Sequence, residues 1–277
     1  MDMLLPSASG LASHPGGAST EGNLNFEFVR RQVANPPAWS ADVIRSWADA
    51  FPSSHHAFLV AHYWSDSAAV NVHRVVGTEH WDYQGKTWLG FLQSGKRMQP
   101  NLQALLDNPN YYRDLVRRQP SIHYNTLDGL DFYIGADGNH RTCIARFFLA
   151  EDAKAEIHGV TLNHYQLNHD FLRCYEALRA SIQTLRLPVD LQPWRSPTGR
   201  EDTASWKLDH YKTELLWHAV ETGEQVRLGY EQAQDRLVDL QYHIRLKQQE
   251  PPPRSWLQRM LSRRTKRKSH HARYSDQ

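Results

Sequence analysis

The sequence predicts an α+β protein, and three observations carry that expectation. Residues 131–149 read as a short β-prone run (Phe132, Tyr133, Ile134), a turn flanked by Gly135 and Gly138, and then apolar residues at helical spacing (Ile144, Ala145, Phe147, Phe148, Leu149). After residue 169 a helical pattern, an alternating hairpin pattern and a second helical pattern follow one another. Composition supports a packed core: of 277 residues 40% are hydrophobic and 22% charged, with nine Trp and twelve Tyr to supply bulk.

The chain divides into four stretches. Residues 1–38 read as a flexible leader, rich in Ser, Gly, Ala and Pro up to 23, with a short amphipathic helix over Phe26, Phe28, Val29 and Val33 ending before Pro36-Pro37. The main domain spans 39–169 and opens with a helical collar, in which Ser40 would cap a helix carrying Val43, Ile44, Trp47 and Phe51. The apolar run 57–64 is too short to assign by periodicity. Leu102, Leu105 and Leu106 suggest a helix broken at Asn108-Pro109-Asn110, with another over Tyr111 to Arg118. Lys96 and Arg97, after Ser94-Gly95, read first as a solvated loop and second as basic groups offered to a ligand.

The third stretch, 170–250, is a helix–hairpin–helix extension. Asp170 would cap a helix with Phe171, Leu172, Tyr175, Leu178, Ile182 and Leu185 on one face. A loop carrying Pro188, Pro193, Pro197 and Gly199 follows. Leu215, Trp217 and Ala219 then turn through 221–224 into Val226 and Leu228; one long helix is the rival, disfavoured by Gly223 and Gly229. Leu237, Val238, Leu240, Ile244 and Leu246 suit a last helix.

The fourth stretch, 251–277, is a basic tail. From Arg254 onward it holds eight Lys/Arg against one acidic residue, leaving 24 basic against 29 acidic elsewhere. Such a tail suits DNA phosphates, a protein partner, a membrane surface or plain solubility. Cys143 and Cys174 argue against a disulfide scaffold and fit a reducing compartment. The start has no signal-peptide pattern, and no window is long and apolar enough for a transmembrane segment, so a cytoplasmic protein is expected. Sixteen His residues form no metal-ligand spacing, and no transition-metal site is expected.

Asp137-Gly138-Asn139-His140-Arg141 carries the chemistry. With Asp137 or Asn139 as cap, His140 and Arg141 fall in the first helical turn, where unpaired N–H groups and the helix dipole favour an anion. Gly138 lets a phosphate approach, Arg141 offers two donors, His140 adds a third or a proton, and Asp137 would hold hydrated Mg²⁺. The alternative is a turn whose polar side chains face water.

This string resembles the signature turn of the ParB/sulfiredoxin superfamily, its ParB-like nuclease branch in particular. Val70–Val75 resembles the domain's opening strand, Pro120–Tyr124 its Pro-Ile-x-Val strand, and Ile157–Leu162 the strand after the signature helix. Asn139 stands where sulfiredoxins carry their catalytic cysteine, and Asn-His-Arg replaces the Glu-Arg-Arg of chromosomal ParB proteins. The resemblance implies ATP or another nucleotide, with Mg²⁺, bound by Gly138, Asn139, His140, Arg141 and Thr142, and by His73 and Arg74 on the opening strand. It implies His140, Arg141 and Asp137 as catalytic groups of an ATPase or nuclease. The chain is also similar to plasmid-encoded fertility-inhibition effectors, which implies a role in plasmid or mobile-element maintenance or transfer. A non-catalytic DNA- or protein-binding regulator is the competing class, and a small-metabolite kinase the third.

Overall fold

The computed structural model describes residues 23–249. The basic tail and the first part of the leader lie outside them. The described chain is α+β, with a mixed sheet, and divides into two compact units. Among the described residues no helix is long and apolar enough to cross a membrane.

Among the described residues the first unit takes 23–53, 62–166 and 200–208. Its elements begin with α1 (Glu27–Ala34), β1 (Arg45–Ser46) and α2 (Trp47–Ala50). Then come β2 (Leu59–Asn71), β3 (Val75–Thr78), α3 (Trp88–Ser94) and α4 (Met98–Asp107). Next are β4 (His123–Thr126), β5 (Phe132–Ile134), α5 (Asn139–Glu151) and β6 (Glu156–Leu167). The strand order is β1-β3-β5-β4-β6-β2. β1, β3 and β5 run parallel; β4 is antiparallel to β5 and parallel to β6.

Alternation on these short strands separates two faces. Tyr124 and Thr126 of β4 turn toward α5, where Tyr124 reaches Thr142. His123 and Asn125 turn to the opposite face, in register with Thr161 and Asn163 of β6. On the α5 side, Trp88, Phe91, Leu92, Met98, Leu102, Ile144, Phe147 and Leu149 form the core, with Phe28 and Val29 of α1 packed into it. A helix expected inside the leader is thus a component of this core.

Four local expectations give way here. Val43 and Ile44, expected in a helix capped by Ser40, are extended instead: Ile44 N–H bonds to the Lys86 carbonyl at 2.8 Å, and the Ile44 carbonyl accepts from Gly85. The helix starts only at Trp47, capped by Ser46. The expected opening strand at 70–75 is broken by a 3-10 turn at Val72–Arg74, because the Asn71 side chain accepts from His73 N–H at 2.9 Å and competes with the strand ladder. His73 and Arg74 are therefore not on a strand. The helix expected over 111–118 shrinks to a 3-10 turn at Pro109–Tyr112, and Arg118 N–H bonds to the Gly159 carbonyl at 2.8 Å. Finally, neither Asp137 nor Asn139 caps α5: the cap position is Gly138, with no side-chain bond.

Among the described residues the second unit takes 54–61, 167–199 and 209–249. Within the described chain it holds α6 (His169–Leu185), most of β7 (Val189–Asp202) and β8 (Trp206–Ala219), β9 (Gln225–Leu228) and α7 (Tyr230–Gln249). Asn168, not Asp170, caps α6, accepting from Phe171 N–H at 2.9 Å. The β8–β9 hairpin forms as expected, Leu215 opposite Leu228 and Trp217 opposite Val226. The proline-rich stretch expected as a loop is the strand β7. It is an edge strand next to β8, and Pro193 and Pro197, which lack an N–H, are tolerated on such an edge. Phe171, Leu178 and Ile182 of α6 pack with Leu215, Trp217 and Leu240 in a separate core.

Candidate functional site

β5 feeds the turn that starts α5. Gly138 sits at φ +110°, and a Cβ placed on it would lie 2.5 Å from Cγ2 of Ile122. Glycine is required there on both counts. The first helical bond is Thr142 N–H to the Gly138 carbonyl at 2.7 Å, so the amides of Asn139, His140 and Arg141 precede it.

The side chains of the turn play unequal parts. Asn139 is buried and accepts from the Thr78 hydroxyl at 2.6 Å, tying the helix start to the end of β3. Thr142 is fully buried and bonds Tyr124 at 2.8 Å, toward the core. Arg141 has only 12% of its side chain exposed and is heavily committed. It donates to the Tyr111 hydroxyl at 2.8 Å, to the Pro120 carbonyl and to the Ser121 carbonyl at 3.1 Å, and pairs with Asp137 at 2.8 Å. In this arrangement Arg141 holds the 120–121 segment against the helix start.

His140 lies with its ring 5.3 Å from Tyr83 and 5.1 Å from Phe91, centroid to centroid, and its Nε2 is buried without a partner. Burial first, then the positive charge of Arg97 and of His80, pushes its pKa down to about 4. The His80 ring lies 4.5 Å from that of Tyr83, on which His140 also packs. Trp81, 76% exposed, stands next to His80 and shares a roughly parallel ring plane with it.

An acid limb in stability follows. Because His140 accepts a proton near pH 4 when folded and near 6.5 when unfolded, the unfolded chain binds more protons between those values. Stability is therefore fully present above pH 6.5 and falls as pH drops toward 4. In His140→Phe, which keeps an aromatic ring against Tyr83 and Phe91, urea midpoints measured across this range should decline less than in the wild type.

His73 and Arg74 stand elsewhere. The His73 ring packs on Trp39, and Arg74 bonds the Leu130 carbonyl at 2.9 Å and Asp131 at 2.6 Å. Among the described residues, no hydrogen bond or ion pair joins either to 137–142.

The face opposite α5 holds a polar chain that sequence reading missed. Asn125 donates to Glu79, Asn163 donates to Asn125 at 3.0 Å, and His62 meets Asn163 at 3.0 Å while stacking on Tyr165 at 4.5 Å. Glu79 joins this chain to the turn: its N–H bonds the Ile134 carbonyl at 2.8 Å, and His123, whose N–H bonds the Asp137 carbonyl at 3.1 Å, acts on it electrostatically. Burial raises the Glu79 carboxyl above its ordinary value, against the lowering effect of Asn125 and His123.

For Mg²⁺ the residues fit a phosphate-borne ion rather than a protein cage. Asp137 is exposed but tied to Arg141, and among the described residues no group of three metal-ligating side chains forms. Magnesium bound by one or two carboxylates together with nucleotide phosphates needs no more. Comparison with protein-family models, with curated proteins and with solved structures returns no match.

Proposed function

We propose that the protein binds a nucleotide by its phosphates at the start of α5 and hydrolyses a phosphate ester, as an ATPase or nuclease on a ParB/sulfiredoxin-like domain. The observation that carries this reading is the glycine turn at Gly138, whose amides precede the first helical bond of α5, with the charge of Arg97 acting on the neighbouring His140. Those amides would bind phosphate oxygens, with Arg97 rather than the committed Arg141 as the mobile counter-charge. The exposed face of Trp81 offers a base something to stack on. An arriving phosphate would raise the pKa of His140 and let it hold a proton near the leaving oxygen. Bound with the phosphates, magnesium would neutralise part of their charge. DNA as a partner rests on the sequence of the tail alone.

A non-catalytic nucleotide-binding regulator is the second reading. It is favoured by the depressed pKa of His140, which leaves the empty site without a charged general acid at neutral pH.

Titration of the full chain with Mg²⁺-ATP, with and without DNA, tests both. Arg97→Ala should weaken binding about ten-fold, as loss of a charge-assisted contact would. His140→Ala should leave affinity within about two-fold while reducing turnover ten-fold or more. Saturable binding with no turnover in the wild type selects the regulator, and no binding of any nucleotide overturns both readings.

A further inference from the structure

We propose that a cavity beside Arg146, on the middle of α5 and away from the glycine turn, is a binding site for a small carboxylate anion. The cavity holds about 310 Å³, and its wall includes Arg146, His73, Arg45, Asp42, Val75 and Trp88. This is the small end of the range for ligand pockets.

Arg146 is the reason. The residue is 2% exposed, and its guanidinium lies 4.6 Å from the Trp39 ring centroid and 4.1 Å from that of Trp88. Nη1 donates to the Val75 carbonyl, while Nε is buried with no partner. Burial pulls its pKa down, but only to about 10, so it is a cation at neutral pH. No carboxylate lies within ion-pair distance among the described residues; Asp42, the nearest in influence, only adds a favourable field from an exposed position. A buried cation without a counter-ion costs several kcal/mol, so a structure that keeps one in the wall of a cavity is suited to an anion that completes it.

The second observation is independent. His73 lines the same cavity, and its Nδ1 is likewise buried and unpartnered. Its Nε2 lies 3.4 Å from the Lys154 carbonyl, which selects the tautomer with the proton on Nε2 and leaves Nδ1 as an acceptor. Two residues of the cavity wall thus each carry a buried, unpartnered nitrogen, one a cationic donor and the other a neutral acceptor.

Their chemistry selects the ligand. With Nη1 occupied, the guanidinium presents its Nε/Nη2 edge, and the tryptophan contacts use its faces. A planar carboxylate meets such an edge with two parallel bonds. The Nδ1 acceptor calls for a hydroxyl donor on the same molecule, so a hydroxy-acid satisfies both groups. The charged groups of the wall, Arg146, Arg45 and Asp42, sum to one positive charge with His73 neutral, which favours a monocarboxylate.

The test uses the full wild-type chain labelled with ¹⁵N-arginine, observing the Nε–Hε cross-peak of Arg146, assigned by its disappearance in Arg146→Lys. Sodium lactate, sodium acetate and inorganic phosphate are titrated separately at constant ionic strength. Lactate should move the cross-peak saturably, acetate should do so more weakly, and phosphate should leave it in place. In His73→Phe, which keeps a ring against Trp39, lactate should bind about five-fold more weakly while acetate is unchanged. No saturable shift with either carboxylate overturns the site. A shift with phosphate alone overturns the carboxylate assignment, and equal loss of both carboxylates in His73→Phe overturns the role of Nδ1.

Discussion

Gly138→Ala is expected to destabilise the first unit by about 3 to 5 kcal/mol. A strained positive-φ backbone contributes about 1–3 kcal/mol. Overpacking against a core side chain adds about as much again. The added Cβ would sit 2.5 Å from Cγ2 of Ile122 and 3.3 Å from its Cα. Ile122 is fully buried and β-branched, and it cannot swing aside. The melting temperature should fall by roughly 10 °C. Because the same atoms set the approach to the α5 amides, any phosphate binding should be lost even in the folded fraction. The double variant Gly138→Ala with Ile122→Ala removes the Cγ2 collision but not the backbone strain. It should therefore cost less than the sum of the two single changes, as a double-mutant cycle by chemical denaturation would show. Strict additivity would mean that Ile122 is not what limits the turn.

How much of this was legible beforehand differs from residue to residue. The start of α5 was readable because a glycine followed by helically spaced apolar residues is a local signal, and β5 and the β8–β9 hairpin were readable for the same reason. The commitment of Arg141 was not, because its acceptors at 111, 120 and 121 come from a segment that only the fold brings close. The chain from Glu79 through Asn125 and Asn163 to His62 is likewise a product of register: Asn125 lies beside Asn163 only because β4 and β6 run parallel in that alignment. Single polar residues on short strands give no periodic signal. Arg146 gives no local signal, since Trp39 and Trp88, which enclose it, lie far away in the chain. The prolines of β7 misled in the other direction, because turn chemistry and edge-strand chemistry use the same residue.

Arg141 separates a ligand-binding role from a holding one. Arg141→Ala leaves two backbone carbonyls and the Tyr111 hydroxyl without their shared donor, in a place where the Arg141 side chain is 12% exposed. The expected cost is about 1.5–3 kcal/mol, the range for hydrogen bonds to a charged group, since the acceptors are half-buried or exposed and water can replace part of what is lost. Arg141→Lys keeps the charge facing Asp137 but reaches fewer acceptors, and should cost about half as much. Tyr111→Phe removes one acceptor, together with the hydroxyl's own 3.2 Å bond to the Pro120 carbonyl, and leaves every charge in place. If Arg141 acts by holding the 120–121 segment under the turn, nucleotide affinity across these three variants should fall in step with the denaturation midpoint, Tyr111→Phe included. If the guanidinium itself grips phosphate, Tyr111→Phe should bind as tightly as the wild type or tighter, since it frees a donor, while Arg141→Lys should lose about ten-fold. The commitments seen at Arg141 favour the first pattern. A Tyr111→Phe protein with lowered stability and undiminished affinity would return Arg141 to the role of a phosphate ligand.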